Sequence, residues 1–243
     1  MARISKDKLD LEHTDFSFIP SLECDLRCPF CMYCSSPDNH LELDIERVKP
    51  FMETVNWDRV LSWGLYGGEP SVNTDLYLRF IKLIPHSTPK FIITNGAWTS
   101  ARGAYIGMLQ FLNLVASNDS LRVIVSGTPE HKKFQDLEII AQLGREPGFT
   151  LKGDDEMHPM GRLAKDDWTC SMKFKWHPQP IRMSIFPTGD VLMQNCDGVY
   201  PVLGTCEDPF DVLFNRAVIV RNMGCGRVCR NLNDILREGG LIT

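Results

Sequence analysis

Residues 24–31 read CDLRCPFC, and the interpretation of the whole chain starts from this stretch. Its three cysteines, Cys24, Cys28 and Cys31, follow a C-x3-C-x2-C spacing, with the aromatic Phe30 directly before the last one. Gaps this short place three thiols on one loop, and cysteine thiolates are the usual ligands of iron–sulfur clusters. Three ligands would leave the fourth iron of a 4Fe-4S cluster open to another molecule.

Close cysteines also occur in zinc sites and in disulfide frameworks. Zinc sites usually contain C-x2-C pairs, whereas the first gap here is three residues. Disulfide frameworks are typical of short secreted proteins. This chain has 243 residues, and residues 1–10 contain no apolar stretch like that of a secretory signal. An iron–sulfur loop is therefore the favoured interpretation.

The stretch resembles the cysteine loop of the radical S-adenosylmethionine (AdoMet) superfamily, whose pattern is C-x3-C-x-aromatic-C. The resemblance implies that the amino and carboxylate groups of AdoMet bind the open iron, and that Phe30 packs against the adenine. It also implies that one electron cleaves the sulfonium, and that the 5′-deoxyadenosyl radical then abstracts a hydrogen from substrate. A reductase or a flavodoxin-type protein is the expected electron donor.

The composition is that of an ordinary globular protein, with 43% hydrophobic and 23% charged residues. A net charge of −5 without a long basic run disfavours nucleic acid as a partner. No apolar run reaches the roughly 20 residues of a membrane helix. Nine cysteines in such a chain indicate a reducing compartment and metal binding. We therefore expect a cytoplasmic protein without a membrane partner.

Hydrophobic periodicity predicts alternating strands and helices over the first two thirds of the chain. Strands are predicted at residues 16–23, 60–66, 90–96 and 121–127, with a weak fifth at 149–153. Helices are predicted at residues 43–55, 76–84, 105–115 and 134–143. This order indicates an α/β fold, and the resemblance implies a partial (β/α) barrel of about five to six units. The usual core has six units, so one unit is shortened or missing.

The second predicted strand runs into Gly67-Gly68-Glu69-Pro70. Two adjacent glycines let the backbone approach a ligand closely. A Gly-Gly-Glu-Pro turn is a weak signal alone, but here it follows the cysteine loop and a strand. It matches the GGEP motif of the superfamily, and the resemblance implies that it contacts the amino group of AdoMet.

The resemblance implies further cofactor contacts at the ends of later strands. Many members end the third strand in Thr-Asn-Gly close to the cofactor, which corresponds to Thr94 and Asn95 here. Ser126 at the end of the fourth strand and Arg162 in a Gly-Arg pair are the other two candidates. The turn at residues 131–133 is interpreted as a solvated basic turn, and residues 154–156 as a solvated acidic loop.

Helical periodicity fades from Cys170 onward, and cysteines become frequent. A hairpin is predicted at residues 181–186 and 190–193 around a Pro-Thr-Gly turn, followed by a helix at 209–221. The pattern resembles the Twitch domain, a shortened SPASM domain that holds an auxiliary iron–sulfur cluster. The resemblance nominates four ligands for this second cluster, with zinc as the alternative metal: Cys170, Cys196, Cys225 and Cys229. Cys34 and Cys206 are interpreted as buried apolar residues.

These observations predict an N-terminal extension (1–15), a radical AdoMet barrel (16–165) and a Twitch-like domain (166–243). The expected activity is hydrogen abstraction that oxidises or cross-links a small metabolite or a peptide or protein side chain. Two alternatives stay open: an activase that generates a glycyl radical on a partner protein, and a non-catalytic zinc- or cluster-containing binding protein. The gap between Cys31 and Val60 is too short for the cluster insert of known activases.

Overall fold

The computed structural model describes residues 12–100, 108, 112–113, 117–152, 180–194 and 202–223. The strands are β1 (Thr14–Phe18), β2 (Val60–Leu65), β3 (Lys90–Thr94), β4 (Leu121–Ser126), β5 (Phe149–Lys152), β6 (Ile181–Ile185), β7 (Asp190–Met193) and β8 (Val202–Thr205). The helices are α1 (Ile45–Glu53), α2 (Thr74–Ile81), α3 (Pro129–Lys132), α4 (Leu137–Leu143) and α5 (Phe210–Met223). None of the helices in these ranges combines the length and the hydrophobicity needed to cross a membrane.

The eight strands form one sheet in the order β5-β4-β3-β2-β1-β6-β7-β8. Neighbouring strands from β5 to β6 are parallel, whereas β6, β7 and β8 pair antiparallel. Because parallel strands share their direction, β1, β2, β3, β4 and β6 all end at the same edge of the sheet. We call this edge the carboxyl edge, and in open parallel sheets it is where ligands bind.

The main hydrophobic core lies on one face of the sheet and centres on β1. Phe16 and Trp63 are almost completely buried, and their ring centroids lie 4.6 Å apart on neighbouring strands. Phe16 also contacts Phe51 of α1 and Phe210 of α5, with centroid distances of 5.5 and 6.2 Å. The first and last described helices therefore pack against the same strand.

The predicted elements agree with the structure, with a few local differences. The first strand is shorter than predicted, because residues 19–23 make only isolated bridges to Glu42 and Ser36 after β1 has ended. The helix predicted at 134–143 begins later, as α4 at Leu137 after the cap residue Asp136. A separate short helix, α3, precedes it at Pro129–Lys132, where a turn was predicted, and it is capped by Thr128. Pro50 does not end α1, which continues to Glu53.

The α/β class with a mostly parallel sheet is confirmed. The predicted C-terminal hairpin is also present as β6 and β7, and β6 pairs in parallel with β1. The proposed domain boundary at residues 165–166 lies outside the described residues, as does most of the helix predicted at 105–115. The number of barrel units and the separate C-terminal domain therefore stay predictions.

Candidate cofactor-binding site

The cysteine loop begins where the extended continuation of β1 reaches the carboxyl edge. The backbone amide of Cys24 donates to the carbonyl of Ser36 at 3.2 Å, which closes the loop. Within it, the Cys31 amide donates to the Cys28 carbonyl at 3.2 Å, and the Cys34 amide to the Cys31 carbonyl at 3.1 Å. The four cysteines of this segment are free thiols of intermediate exposure. Cys34 is therefore half-buried, where burial had been predicted, and it has a left-handed φ of 53°.

The Gly-Gly turn is held directly against this segment. The Gly68 amide donates to the Ser21 carbonyl at 2.7 Å, and the Glu69 amide to the Glu23 carbonyl at 2.9 Å. A Cβ atom on Gly68 would lie 1.8 Å from the Glu23 carbonyl oxygen. Gly67 has a φ of 110°, which favours glycine. The glycines are therefore required for contact between two protein segments, whereas the sequence suggested only close approach to a ligand.

The Glu69 side chain points inward and joins the ends of β2 and β3. Glu69 is 2% exposed and accepts hydrogen bonds from the Thr94 hydroxyl at 2.6 Å, the Asn95 amide at 2.7 Å and the Ser71 amide at 3.2 Å. Burial, aided by the nearby Asp25 charge, outweighs these bonds and raises the pKa of Glu69 to about 7. The Glu69 carboxyl group is thus used for hydrogen bonds inside the protein.

Asn95 connects this network to the cysteine loop. Its Nδ2 atom donates to Asp25 Oδ1 at 2.7 Å and lies 3.7 Å from Cys24 Sγ. Its carbonyl accepts from Gln135 Nε2 at 2.6 Å, and the same nitrogen lies 2.7 Å from the Ser126 carbonyl. Gln135 therefore brings Ser126 and Asn95 together at the carboxyl edge.

Thr94 lies inside the protein at the end of β3. It is 1% exposed, its hydroxyl donates to Glu69, and the same oxygen accepts from Trp98 Nε1 at 3.0 Å and the Gly96 amide at 3.1 Å. All of its hydrogen-bonding capacity is used inside the protein. Thr94 thus supports the turn, and its proximity to a cofactor stays a prediction.

Tyr77 of α2 is a second support that the sequence pattern did not reveal. Tyr77 is completely buried, and its hydroxyl lies 3.1 Å from the Tyr66 carbonyl and 3.2 Å from the Gly68 carbonyl. Burial raises its pKa, so the phenol keeps its proton and acts as a donor to the Gly-Gly turn. Tyr77 has this role because of its position in α2, facing the carboxyl edge. It belongs to no short motif that could have been recognised in the sequence.

His131 is the largest departure from the sequence interpretation. It was assigned to a solvated basic turn, but its imidazole is half-buried beside the cysteine loop. His131 Nε2 lies 3.3 Å from Cys28 Sγ, and its ring centroid lies 5.5 Å from that of Phe30 with the planes at 62°. Desolvation lowers the pKa of His131, so the imidazole is neutral near neutral pH. Lys132 and Lys133 are exposed, as predicted.

The three thiols of the cysteine loop suit the expected 4Fe-4S cluster as ligands. Within the described ranges, no three His, Cys, Asp or Glu side chains converge as a site for a single metal ion. A 4Fe-4S cluster instead binds each cysteine through a different iron, so three thiols spread over one loop suit it in type and number. Burial raises the pKa of Cys24, so its thiol stays protonated at neutral pH unless a metal displaces the proton.

Five predicted site residues lie outside the described residues: Arg162, Cys170, Cys196, Cys225 and Cys229. Cys206, which was interpreted as a small buried residue, is 1% exposed and belongs to the main core. Pro70 is buried after the Gly-Gly turn, and Phe30 is half-buried.

No protein-family description and no curated protein sequence matches this chain. A crystal structure of BtrN in complex with AdoMet and 2-DOIA is similar, with a TM-score of 0.58 and 17% sequence identity. The similarity covers 87% of this chain and 86% of BtrN. The chain has the fold of BtrN.

Two further solved structures are similar over smaller shares of both chains and with lower TM-scores. One is anSMEcpe with bound AdoMet and Cp18Cys peptide, at a TM-score of 0.45 and 12% identity, covering 84% of this chain and 81% of that one. The other is SuiB from Streptococcus suis, at a TM-score of 0.36 and 13% identity, covering 74% and 60%.

Proposed function

We propose that the protein is a radical AdoMet enzyme. When bound, a 4Fe-4S cluster and AdoMet together supply a 5′-deoxyadenosyl radical that abstracts a hydrogen from substrate. Cys24, Cys28 and Cys31 are the proposed cluster ligands. One observation carries the proposal: the cysteine loop and the Gly-Gly turn, distant in sequence, are bound to each other at the carboxyl edge of the sheet.

The proposed AdoMet site lies beside this contact. The buried Tyr77 hydroxyl and the Glu69 carboxyl group fix the Gly-Gly turn from behind. The turn can therefore present its remaining backbone groups to the amino group of AdoMet without moving. Phe30 supplies an apolar ring for the adenine, and His131 limits its orientation through the edge contact between the two rings. Asn95 and Ser126 complete the same edge.

The fold similarity to BtrN supports this proposal, because that structure contains AdoMet. A non-catalytic protein with a purely structural metal site would not require the Gly-Gly turn beside the thiols. An activase is not favoured by any contact described above. For the substrate, we keep the class predicted from sequence, a small metabolite or a peptide or protein side chain that is oxidised or cross-linked.

A second iron–sulfur cluster held by Cys170, Cys196, Cys225 and Cys229 is part of the proposal. Its role would be to accept the electron left on a substrate radical, or to anchor the substrate. The cysteine count supports it, since these four residues make a complete ligand set.

The test uses anaerobically reconstituted protein and measures iron, sulfide and 5′-deoxyadenosine release under reductant. We expect about eight irons per chain, the content of two 4Fe-4S clusters, and AdoMet cleavage that is lost in Cys28→Ala. Cys34→Ala is the matched control, since Cys34 lies on the same loop outside the ligand pattern. This variant should keep both the iron content and the AdoMet cleavage of the wild type. About four irons per chain with cleavage intact would refute the second cluster and leave the radical AdoMet enzyme in place. Bound zinc without cleavage would refute the enzyme and favour a binding protein.

A further inference from the structure

His131 reaches the cysteine loop from a different part of the fold. It belongs to α3, which follows β4, and its backbone amide donates to the Thr128 hydroxyl at 3.3 Å. This bond and the start of the helix fix the position of the residue at the carboxyl edge. From there the imidazole lies against Cys28 on one side and Phe30 on the other.

The contact with Cys28 has a defined donor once the sulfur binds iron. An iron-bound thiolate carries no hydrogen, so it can only accept, and the hydrogen must be on His131 Nε2. The N–S distance of 3.3 Å suits such a bond. The other ring nitrogen, Nδ1, is buried and has no hydrogen-bond partner among the described residues. In a neutral imidazole this nitrogen carries no hydrogen when Nε2 does, which agrees with the absence of an acceptor next to it.

The two lysines that follow His131 in this turn differ from it in exposure. Lys132 and Lys133 are exposed, and Lys133 forms an ion pair with Glu130 at 2.6 Å. At Cys24, the side-chain nitrogen Asn95 Nδ2 lies at the longer distance of 3.7 Å from the sulfur. The contact between His131 and Cys28 is thus shorter than the contact between Asn95 and Cys24.

Hydrogen bonds to the sulfurs are among the factors that set the reduction potential of an iron–sulfur cluster. The reduced cluster carries one more negative charge than the oxidised cluster, so a donor stabilises the reduced form more strongly. We propose that His131 is a positioning residue that donates a hydrogen bond to the Cys28 thiolate and makes the cluster easier to reduce. This inference rests on the proposed function, since it requires the cluster to be held by Cys28.

The test compares three side chains at position 131. His131→Leu removes the donor and keeps an apolar side chain, whereas His131→Gln places an amide nitrogen near the position of Nε2. Lys133→Gln is the control in the same turn. The midpoint potential is measured by EPR-monitored redox titration of the signal that changes when AdoMet is added, and iron is counted in each sample.

A hydrogen bond is stronger when its acceptor is charged, so the bond to the reduced cluster is stronger than the bond to the oxidised cluster. We therefore expect the equilibrium constant for reduction to fall about tenfold in His131→Leu, equal to about 59 mV for a one-electron couple. His131→Gln should recover most of the loss, and Lys133→Gln should match the wild type. Equal potentials in wild type and His131→Leu would overturn the proposal, and so would a glutamine variant as low as the leucine variant.

If His131→Leu does not assemble a cluster, a measurement on wild-type protein decides. Pulsed EPR of protein labelled with 15N-histidine should show an imidazole nitrogen coupled to the reduced cluster, and His131→Gln should lack it. No coupled nitrogen in the wild type would overturn the inference. These failures differ from failure of the proposed function, in which the wild type would hold no iron or show no AdoMet-sensitive signal.

Discussion

Replacing Gly68 with alanine should separate the Gly-Gly turn from the cysteine loop. The new Cβ would lie 1.8 Å from the carbonyl oxygen of Glu23 and 2.7 Å from its carbon. Both atoms belong to the backbone, so no side-chain rotation can relieve the overlap. Real Cβ atoms essentially never approach closer than 3.0 Å, so the two segments must move apart by about 1.2 Å.

The energetic cost has a lower bound in the bonds that this movement breaks. The amides of Gly68 and Glu69 donate to carbonyls of the opposite segment at 2.7 and 2.9 Å. Each such bond contributes about 1 kcal/mol net. The free energy of unfolding should therefore fall by at least about 2 kcal/mol. The displaced loop should also retain less iron.

Urea denaturation followed by circular dichroism measures the stability, and iron per chain after anaerobic reconstitution measures the loop. Gly144→Ala is the matched control. There a Cβ would meet the side chain of Leu151 at 2.8 Å, and that side chain is exposed and free to move. Gly144 also has an ordinary helical φ of −63°, so its change should stay within about 0.5 kcal/mol. A Gly68→Ala protein with wild-type stability and full iron would refute the proposed contact between turn and loop.

Three further substitutions distinguish side chains that support the site, Glu69 and Tyr77, from Lys90, which supports only the fold. The folded protein keeps the Glu69 proton up to a pKa of about 7, against 4.5 in the unfolded chain, so the free energy of unfolding should decrease between pH 4.5 and 7 and level off above. Glu69→Gln should remove this decrease in urea titrations, and an unchanged pH profile would contradict the assignment. Tyr77→Phe should cost about 1 kcal/mol and weaken AdoMet binding several-fold by calorimetry, because the Gly68 carbonyl loses its donor; equal affinity would argue against that support. Lys90→Met should cost about 2 kcal/mol by leaving three carbonyls of residues 85–88 without their ammonium donor, yet AdoMet affinity should stay at the wild-type level, since Lys90 lies at the opposite edge of the sheet.

Most of the strands could be predicted because each is a short apolar run bounded by turn residues. The run at residues 90–94 and the Pro-Thr-Gly hairpin are clear examples. The pairing partner of a strand could not be predicted in the same way. Nothing in residues 181–185 indicates that β6 pairs with β1 and not with another strand, because pairing depends on contacts that form only in the folded chain.

At the site, the sequence identified the residues that belong to short motifs. It did not show their orientation, such as that of Thr94, whose hydroxyl donates to Glu69. It also missed Tyr77 and His131, since each contributes one side chain from an element without a motif. A histidine between a helix cap and two lysines has the local appearance of a surface turn. Only the approach of α3 to the cysteine loop in space makes it part of the site.

The pairing of β1 with β6 has a consequence for biosynthesis. Thr14 and Ile181 are partners in the sheet but lie 167 residues apart in the chain. At roughly 5–20 residues per second, the ribosome needs about 8 to 33 s to deliver the second partner after the first. During that time one side of β1 has unpaired backbone groups, which can attract other strands. The segment that carries the cysteine loop therefore gains this neighbour only after residues 181–185 have been made, and a chaperone that covers β1 until then should increase the yield of folded protein.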